Sequence, residues 1–82
     1  RGDEATENAE LREHLLEAVE ALEPKYQSPF VLYEFEGQEL SEIADLLGLS
    51  EAGVKTRLHR ARKHMRANLE RYLDRDLADG VA

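Results

Sequence analysis

Apolar residues along this chain recur at helical rather than strand spacing, in four runs punctuated by proline and glycine. Leu11, Leu15, Ala18, Val19 and Leu22 step by threes and fours and predict an amphipathic helix from about Asn8 to Leu22. Asn8 suits its N-cap. Pro24 breaks that pattern and suits the first turn of a second helix, over about Lys25 to Glu36. Pro29 lies in its early turns, where a missing N–H costs little. Phe30, Leu32, Tyr33 and Phe35 are expected to supply core bulk, and Gly37 to end the helix. A third helix is predicted over Leu40 to Leu47, with Leu40, Ile43, Ala44 and Leu47 inward. Gly48 is placed for a left-handed residue at its end, which a side chain with a Cβ adopts at a cost. Leu49 then plugs the turn, and Ser50 suits the N-cap of a fourth helix. That helix is predicted from about Glu51 to Asp76. Val54, Leu58, Ala61, Met65, Leu69 and Leu73 form its continuous inward stripe.

The expected architecture is therefore all-α: a four-helix helix-turn-helix domain over residues 8–76, with a long C-terminal recognition helix. Residues 1–7 are polar and aperiodic and read as a flexible lead-in or linker. Residues 77–82 should fray. Arg1-Gly2-Asp3 reproduces an integrin-binding tripeptide, but nothing else in the chain suggests a secreted protein. The chain opens on Arg1 rather than Met, which points to a fragment or a processed chain.

At 82 residues the core is modest, and without cysteine no disulfide staples it. The missing cysteine fits a reducing compartment. No apolar run approaches a membrane span, and no signal peptide is visible. The net charge of −7 argues at first against a nucleic-acid partner, but its distribution argues the other way. Residues 1–50 carry three Lys or Arg against thirteen Asp or Glu, a net of −10; residues 51–82 carry eight against five, a net of +3. Between Lys55 and Arg66 stand six Lys or Arg and no acid. Such segregation marks a local binding face.

A short helix, a tight turn and a second helix with a basic outer face match a unit whose second helix enters the DNA major groove. Groove reading needs N-terminal side chains that reach base edges and flanking groups that hold phosphates. Ala52 and Gly53 are small enough to let backbone approach DNA. Lys55, Arg57 and Arg60 suit guanine edges or phosphate oxygens, and Thr56 suits either a polar edge or a thymine methyl. Thr56, His59 and Lys63 point outward, and Lys55, Arg60 and Arg66 do so more obliquely; Arg57 and Arg62 flank the stripe. Arg62, Lys63 and Arg66 lie further along and suit phosphates or only water. The start of the third helix, Leu40 and Ser41, should meet the sugar-phosphate backbone, although Glu39 and Glu42 weaken the pull of that helix end on phosphate.

No catalytic constellation is expected. His59 and His64 sit five residues apart, roughly 140° round a helix and poor for a metal, and His14 has no nearby second ligand. All three read as surface histidines. The carboxylates are scattered, and no phosphate loop or nucleophile motif occurs. The reading is a non-enzyme with no metal or cofactor.

Four segments carry a family resemblance: Leu22-Glu23-Pro24-Lys25-Tyr26, Glu36-Gly37, the run from Glu42 to Gly48 (Glu-Ile-Ala-Asp-Leu-Leu-Gly), and Val54-Lys55-Thr56-Arg57-Leu58-His59-Arg60-Ala61-Arg62. The chain resembles the C-terminal region 4 of bacterial sigma factors of the extracytoplasmic-function type. The third segment is shared by many helix-turn-helix families, whereas the fourth is close to the family's signature. The resemblance implies a cytoplasmic module that recognises the promoter −35 element, touches the flap of core RNA polymerase, and is open to sequestration by an anti-sigma factor, most simply as a monomer. It carries DNA contacts onto Lys55, Thr56, Arg57, His59 and Arg60, and less directly onto Leu40 and Ser41. The chain departs from the family at Gln38 and Glu39, where an apolar residue and a Ser cap are common. It also has Tyr33 where a basic residue is frequent, and Gly53 in place of Thr. Region 2, which binds the −10 element, is not in this sequence.

Two other readings stand beside this one. A sigma-like mimic would bind an anti-sigma factor and never touch DNA; the acidic first half suits it and the basic recognition helix does not. The effector domain of a two-component response regulator shares the Glu-Ile-Ala pattern but usually lacks the Arg-Leu-His-Arg-Ala-Arg extension.

Overall fold

The computed structural model describes the backbone of residues 2–81 and the side chains of residues 9–74. Four helices follow one another: α1 (Gly2–Glu20), α2 (Pro24–Glu34), α3 (Leu40–Leu47) and α4 (Glu51–Val81). No strand occurs among the described residues. The all-α expectation holds, and the bounds of α3 and the start of α4 fall where the pattern puts them.

The outer helix ends differ from expectation. α1 starts at Gly2 rather than Asn8, so Asn8 is an interior helical residue and not a cap. Asp3, Glu4, Ala5 and Glu7 account for this: Ala and Glu are strong helix formers, and acidic groups suit a helix N-terminus. α4 runs to Val81, beyond Asp76. Arg1, Ala82 and the side chains at both ends lie outside the described residues; the backbone of residues 2–7 and 77–81, expected as a lead-in and a frayed end, is helical and belongs to α1 and α4.

The chain divides into two compact units. One comprises Leu22–His64; the other comprises residues 1–21 together with 65–82. In the first unit Leu22, Tyr26, Pro29, Phe30, Ile43, Ala44, Val54, Leu58 and Ala61 are buried, with Ile43, Val54 and Ala61 at 0% exposure. α2 packs on α3 here. The aromatic expectation needs correcting. Tyr33 and Phe35 are exposed, and Leu32 is half-buried. Tyr26 and Pro29 are buried in their place, because α2 turns the face carrying positions 26, 29 and 30 inward. Phe35 still meets the edge of Phe30, with ring centroids 6.4 Å apart.

The ends of α2 and α3 are built by local hydrogen bonds. The Glu23 carbonyl accepts from the N–H groups of Tyr26 and Gln27 at 2.9 and 2.8 Å, with Pro24 at the first helical position. Gly37 takes φ +70°, and the N–H of Gln38 then reaches the Leu32 carbonyl at 3.0 Å. Gly48 takes φ +70° and ψ +37°, the left-handed conformation expected of it. Its N–H and that of Leu49 both return to the Ala44 carbonyl, the latter at 2.8 Å.

In the second unit Ala18 and Val19 are buried, while Leu11, Leu16 and Leu73 are exposed. Leu11 and Leu73 therefore leave the inward stripes drawn from spacing. His14 is also corrected: it is half-buried rather than on the surface. Its ring stacks on Tyr72 at a centroid distance of 4.0 Å, and its Nδ1 lies 4.0 Å from Glu17. Its Nε2 is buried and has no hydrogen-bond partner among the described residues; the ring lines a cavity of about 240 Å³ together with Glu17, Ala18, Asn68, Arg71 and Tyr72.

Candidate nucleic-acid interface

The helix-turn-helix is set by two caps. Gly48 closes α3, and the Ser50 hydroxyl opens α4 by accepting from the Gly53 N–H at 3.0 Å. The Ser50 carbonyl accepts from the Val54 N–H at 3.0 Å, the first helical bond of that turn. Val54, Leu58 and Ala61 then face the core, and the side of α4 away from them is left to solvent.

Ala52, Lys55, Thr56, His59, Arg60 and Lys63 are all exposed on this half of α4. Among the described residues, no hydrogen bond or ion pair engages the side chains of Lys55, Arg60 or Lys63. Thr56 is different: its hydroxyl donates back to the Ala52 carbonyl at 3.0 Å, which leaves its methyl and the oxygen's lone pairs to the outside. Gly53 is half-buried. A Cβ built there would meet the Ser50 hydroxyl oxygen at 3.2 Å, so this glycine serves the cap at least as directly as it opens the helix surface.

The other two expected contacts, at the start of α3, are Leu40, half-buried, and Ser41, exposed. The Glu39 N–H donates to the Glu42 Oε1 at 2.8 Å, half of a capping box. This explains how a chain with Glu in place of a Ser cap still starts α3 cleanly. A phosphate arriving at this helix end meets the Glu42 carboxylate on its way.

Two arginines behave unlike their neighbours, and spacing alone did not reveal it. Arg57 is half-buried and donates from Nη1 to the Lys25 carbonyl at 3.4 Å. That carbonyl is the one Pro29 leaves without its usual partner, because residue 29 has no N–H to return to residue 25. Arg62 donates from Nε and Nη2 to a single oxygen of Glu34, at 3.3 and 3.0 Å. Its guanidinium carbon lies 5.6 Å from the centroid of the Tyr33 ring. α4 is thus tied to α2 along both of its flanks. The sequence places Pro29 where its missing N–H costs little, but in α2 it lies far enough along to leave the Lys25 carbonyl open, and neither arginine's partner is visible from spacing, since each lies about thirty positions away in sequence. The ring of His64 meets Tyr26 at 5.5 Å and adds a third tie between the same two helices.

Among the described residues no helix is long and apolar enough to cross a membrane, and no three His, Asp or Glu side chains converge as a metal site would require.

Residues 12–65 match the protein family described as Sigma-70, region 4. The chain is 39% identical over 70 residues to the RNA polymerase sigma-E factor of Streptomyces antibioticus, a match covering 85% of this chain and 39% of that protein. It is 43% identical over 70 residues to the probable RNA polymerase sigma factor RfaY of Xanthomonas campestris, covering 82% of this chain and 18% of that one. It is 44% identical over 55 residues to the RNA polymerase sigma factor SigV of Bacillus subtilis, covering 67% and 33%. The chain spans well under half the length of each of these relatives.

Proposed function

The chain belongs to the Sigma-70 region 4 family, and on that premise we propose that it reads the −35 element of promoters by laying the first turns of α4 in the major groove. One observation carries this reading. Lys55, Arg60 and Lys63 stand exposed with no anionic partner among the described residues, on the part of α4 whose other side buries Val54, Leu58 and Ala61. A helix held rigidly from behind, with free cations in front, is what groove entry requires.

In this reading Lys55, Thr56, His59 and Arg60 meet base edges, and Lys63 meets a phosphate. Ala52 and Gly53 let the start of α4 come close, and Leu40 and Ser41 abut the sugar-phosphate backbone. Arg57 reaches the duplex from the flank by giving up the Lys25 carbonyl. The module works within a longer sigma factor in the bacterial cytoplasm. There it contacts the flap of core RNA polymerase, is held in check by an anti-sigma factor, and acts as a monomer. A mimic that never touches DNA has no use for unpaired cations on this face.

Selection of duplexes from a random pool by this chain, at low salt, tests the reading. A recovered motif is expected, with Arg60→Ala weakening its binding by about 1–3 kcal/mol while the melting temperature holds. No enrichment by the folded chain at any salt would overturn the DNA reading and leave the mimic.

A further inference from the structure

Among the described residues, Arg62 is the one cation of the basic segment that carries its own counter-ion. The two bonds from its Nε and Nη2 converge on one Glu34 oxygen. The pair is half-open to solvent, with side-chain exposures of 48% for Arg62 and 36% for Glu34. Arg62 also shares a side of α4 with two of the residues given to DNA. At about 100° per residue it lies roughly 20° round the helix from Lys55 and roughly 60° from His59, one or two turns further along. A guanidinium so placed, if free, is a phosphate ligand.

We propose that the Glu34–Arg62 pair withholds this arginine from DNA and so limits sequence-independent binding. This rests on the DNA reading above. The physical case is a competition between anions. An exposed ion pair contributes little to stability, so the pair is a poor fastener. The same carboxylate nevertheless cancels a charge that would otherwise release a counter-ion on binding, and it places an anion where a phosphate would sit. Tyr33 keeps the guanidinium on the α2 side by offering its ring to the cation. A phosphate contact carries no sequence information, so the brake acts equally on every duplex.

The test follows the affinity of the chain for its selected duplex and for a scrambled one across salt, in four proteins: the natural chain, Glu34→Gln, Arg62→Ala and the double variant. Glu34→Gln is expected to steepen the log–log salt slope by about 0.9, the value of one extra phosphate contact, and to tighten both duplexes by the same factor. Arg62→Ala should leave the slope where it was, and the double variant should return to it. Thermal unfolding checks that all four are folded.

The double variant separates release of Arg62 from simple loss of a negative charge, because a gain that survives it owes nothing to Arg62 and overturns the proposal. So does a slope that becomes shallower by about 0.9 in Arg62→Ala, which would make Arg62 a phosphate ligand already. So does an unchanged slope in Glu34→Gln. Failure of the natural chain to bind any duplex removes the DNA reading itself, and this outcome is visible before any variant is measured.

Discussion

The two units of this protein are made of the same amino acids in different proportions of order. Leu22–His64 buries nine side chains, three of them at 0% exposure, and closes each of its inner helix ends with a capping bond. The unit of residues 1–21 and 65–82 has only Ala18 and Val19 buried among its described side chains, while large apolar groups are exposed in both units, Leu11, Leu16 and Leu73 here and Tyr33, Phe35 and Leu46 there. Both contain long amphipathic helix. The difference lies in how many elements cover each apolar face. In the first unit parts of three helices share a core; the described side chains of the second come from two helices, α1 and α4. Specificity of structure thus sits in the helix-turn-helix unit, and so does every residue proposed to meet DNA.

Leu58→Ala removes a side chain of 2% exposure from the centre of the first unit. It should cost about 2–5 kcal/mol, read as a fall in the urea midpoint; an unmoved midpoint would mean that this unit does not carry the stability. Gly48→Ala forces a Cβ into the left-handed region, where nothing lies within 4 Å, so the penalty is purely one of backbone conformation. About 1–2 kcal/mol of destabilisation is expected by thermal melting, and Gly48→Asn should recover part of it. Ser50→Ala deletes the cap oxygen of α4. It should cost about 1 kcal/mol, with faster amide exchange confined to the first turn of that helix; uniform exchange would place the hydroxyl's role elsewhere. Leu73→Ser, in the second unit, exchanges a side chain of 47% exposure. Its effect should stay within about 0.5 kcal/mol, and a loss comparable to that of Leu58→Ala would erase the distinction between the units.

Much of the helix-turn-helix was legible from residue order because its signals are local. Gly48 declares a left-handed end, Ser50 declares a cap, and the spacing of Val54, Leu58 and Ala61 declares an inward face within a few residues. The weak points of the sequence reading were also local in form but not in cause. Tyr33 and Phe35 look like core residues by size, yet α2 presents Tyr26 and Pro29 instead. Only the packing partner chooses which face of a short helix with apolar groups on several sides is buried. Leu11 and Leu73 continue a perfect period and are exposed, because a period states which residues share a face and not whether anything covers it.

The basic face of α4 shows the same division. Charge order along the chain identified a cationic helix, and helix geometry identified the outward positions Thr56, His59 and Lys63. It set Arg57 and Arg62 at the flanks of the inward stripe, apart from Lys55 and Arg60, but could not say what they would meet there. Tertiary structure supplied the partners. It brought Arg57 to the carbonyl that Pro29 leaves unpaired, and Arg62 to the carboxylate of Glu34. A side chain's chemistry is a property of its residue, but whether its charge is free depends on what lies opposite, and here that is set by residues about thirty positions away. Residue order determined the four helices, the caps at Gly48 and Ser50 and the placement of positive charge. The fold alone decided which of those charges remain available to a partner.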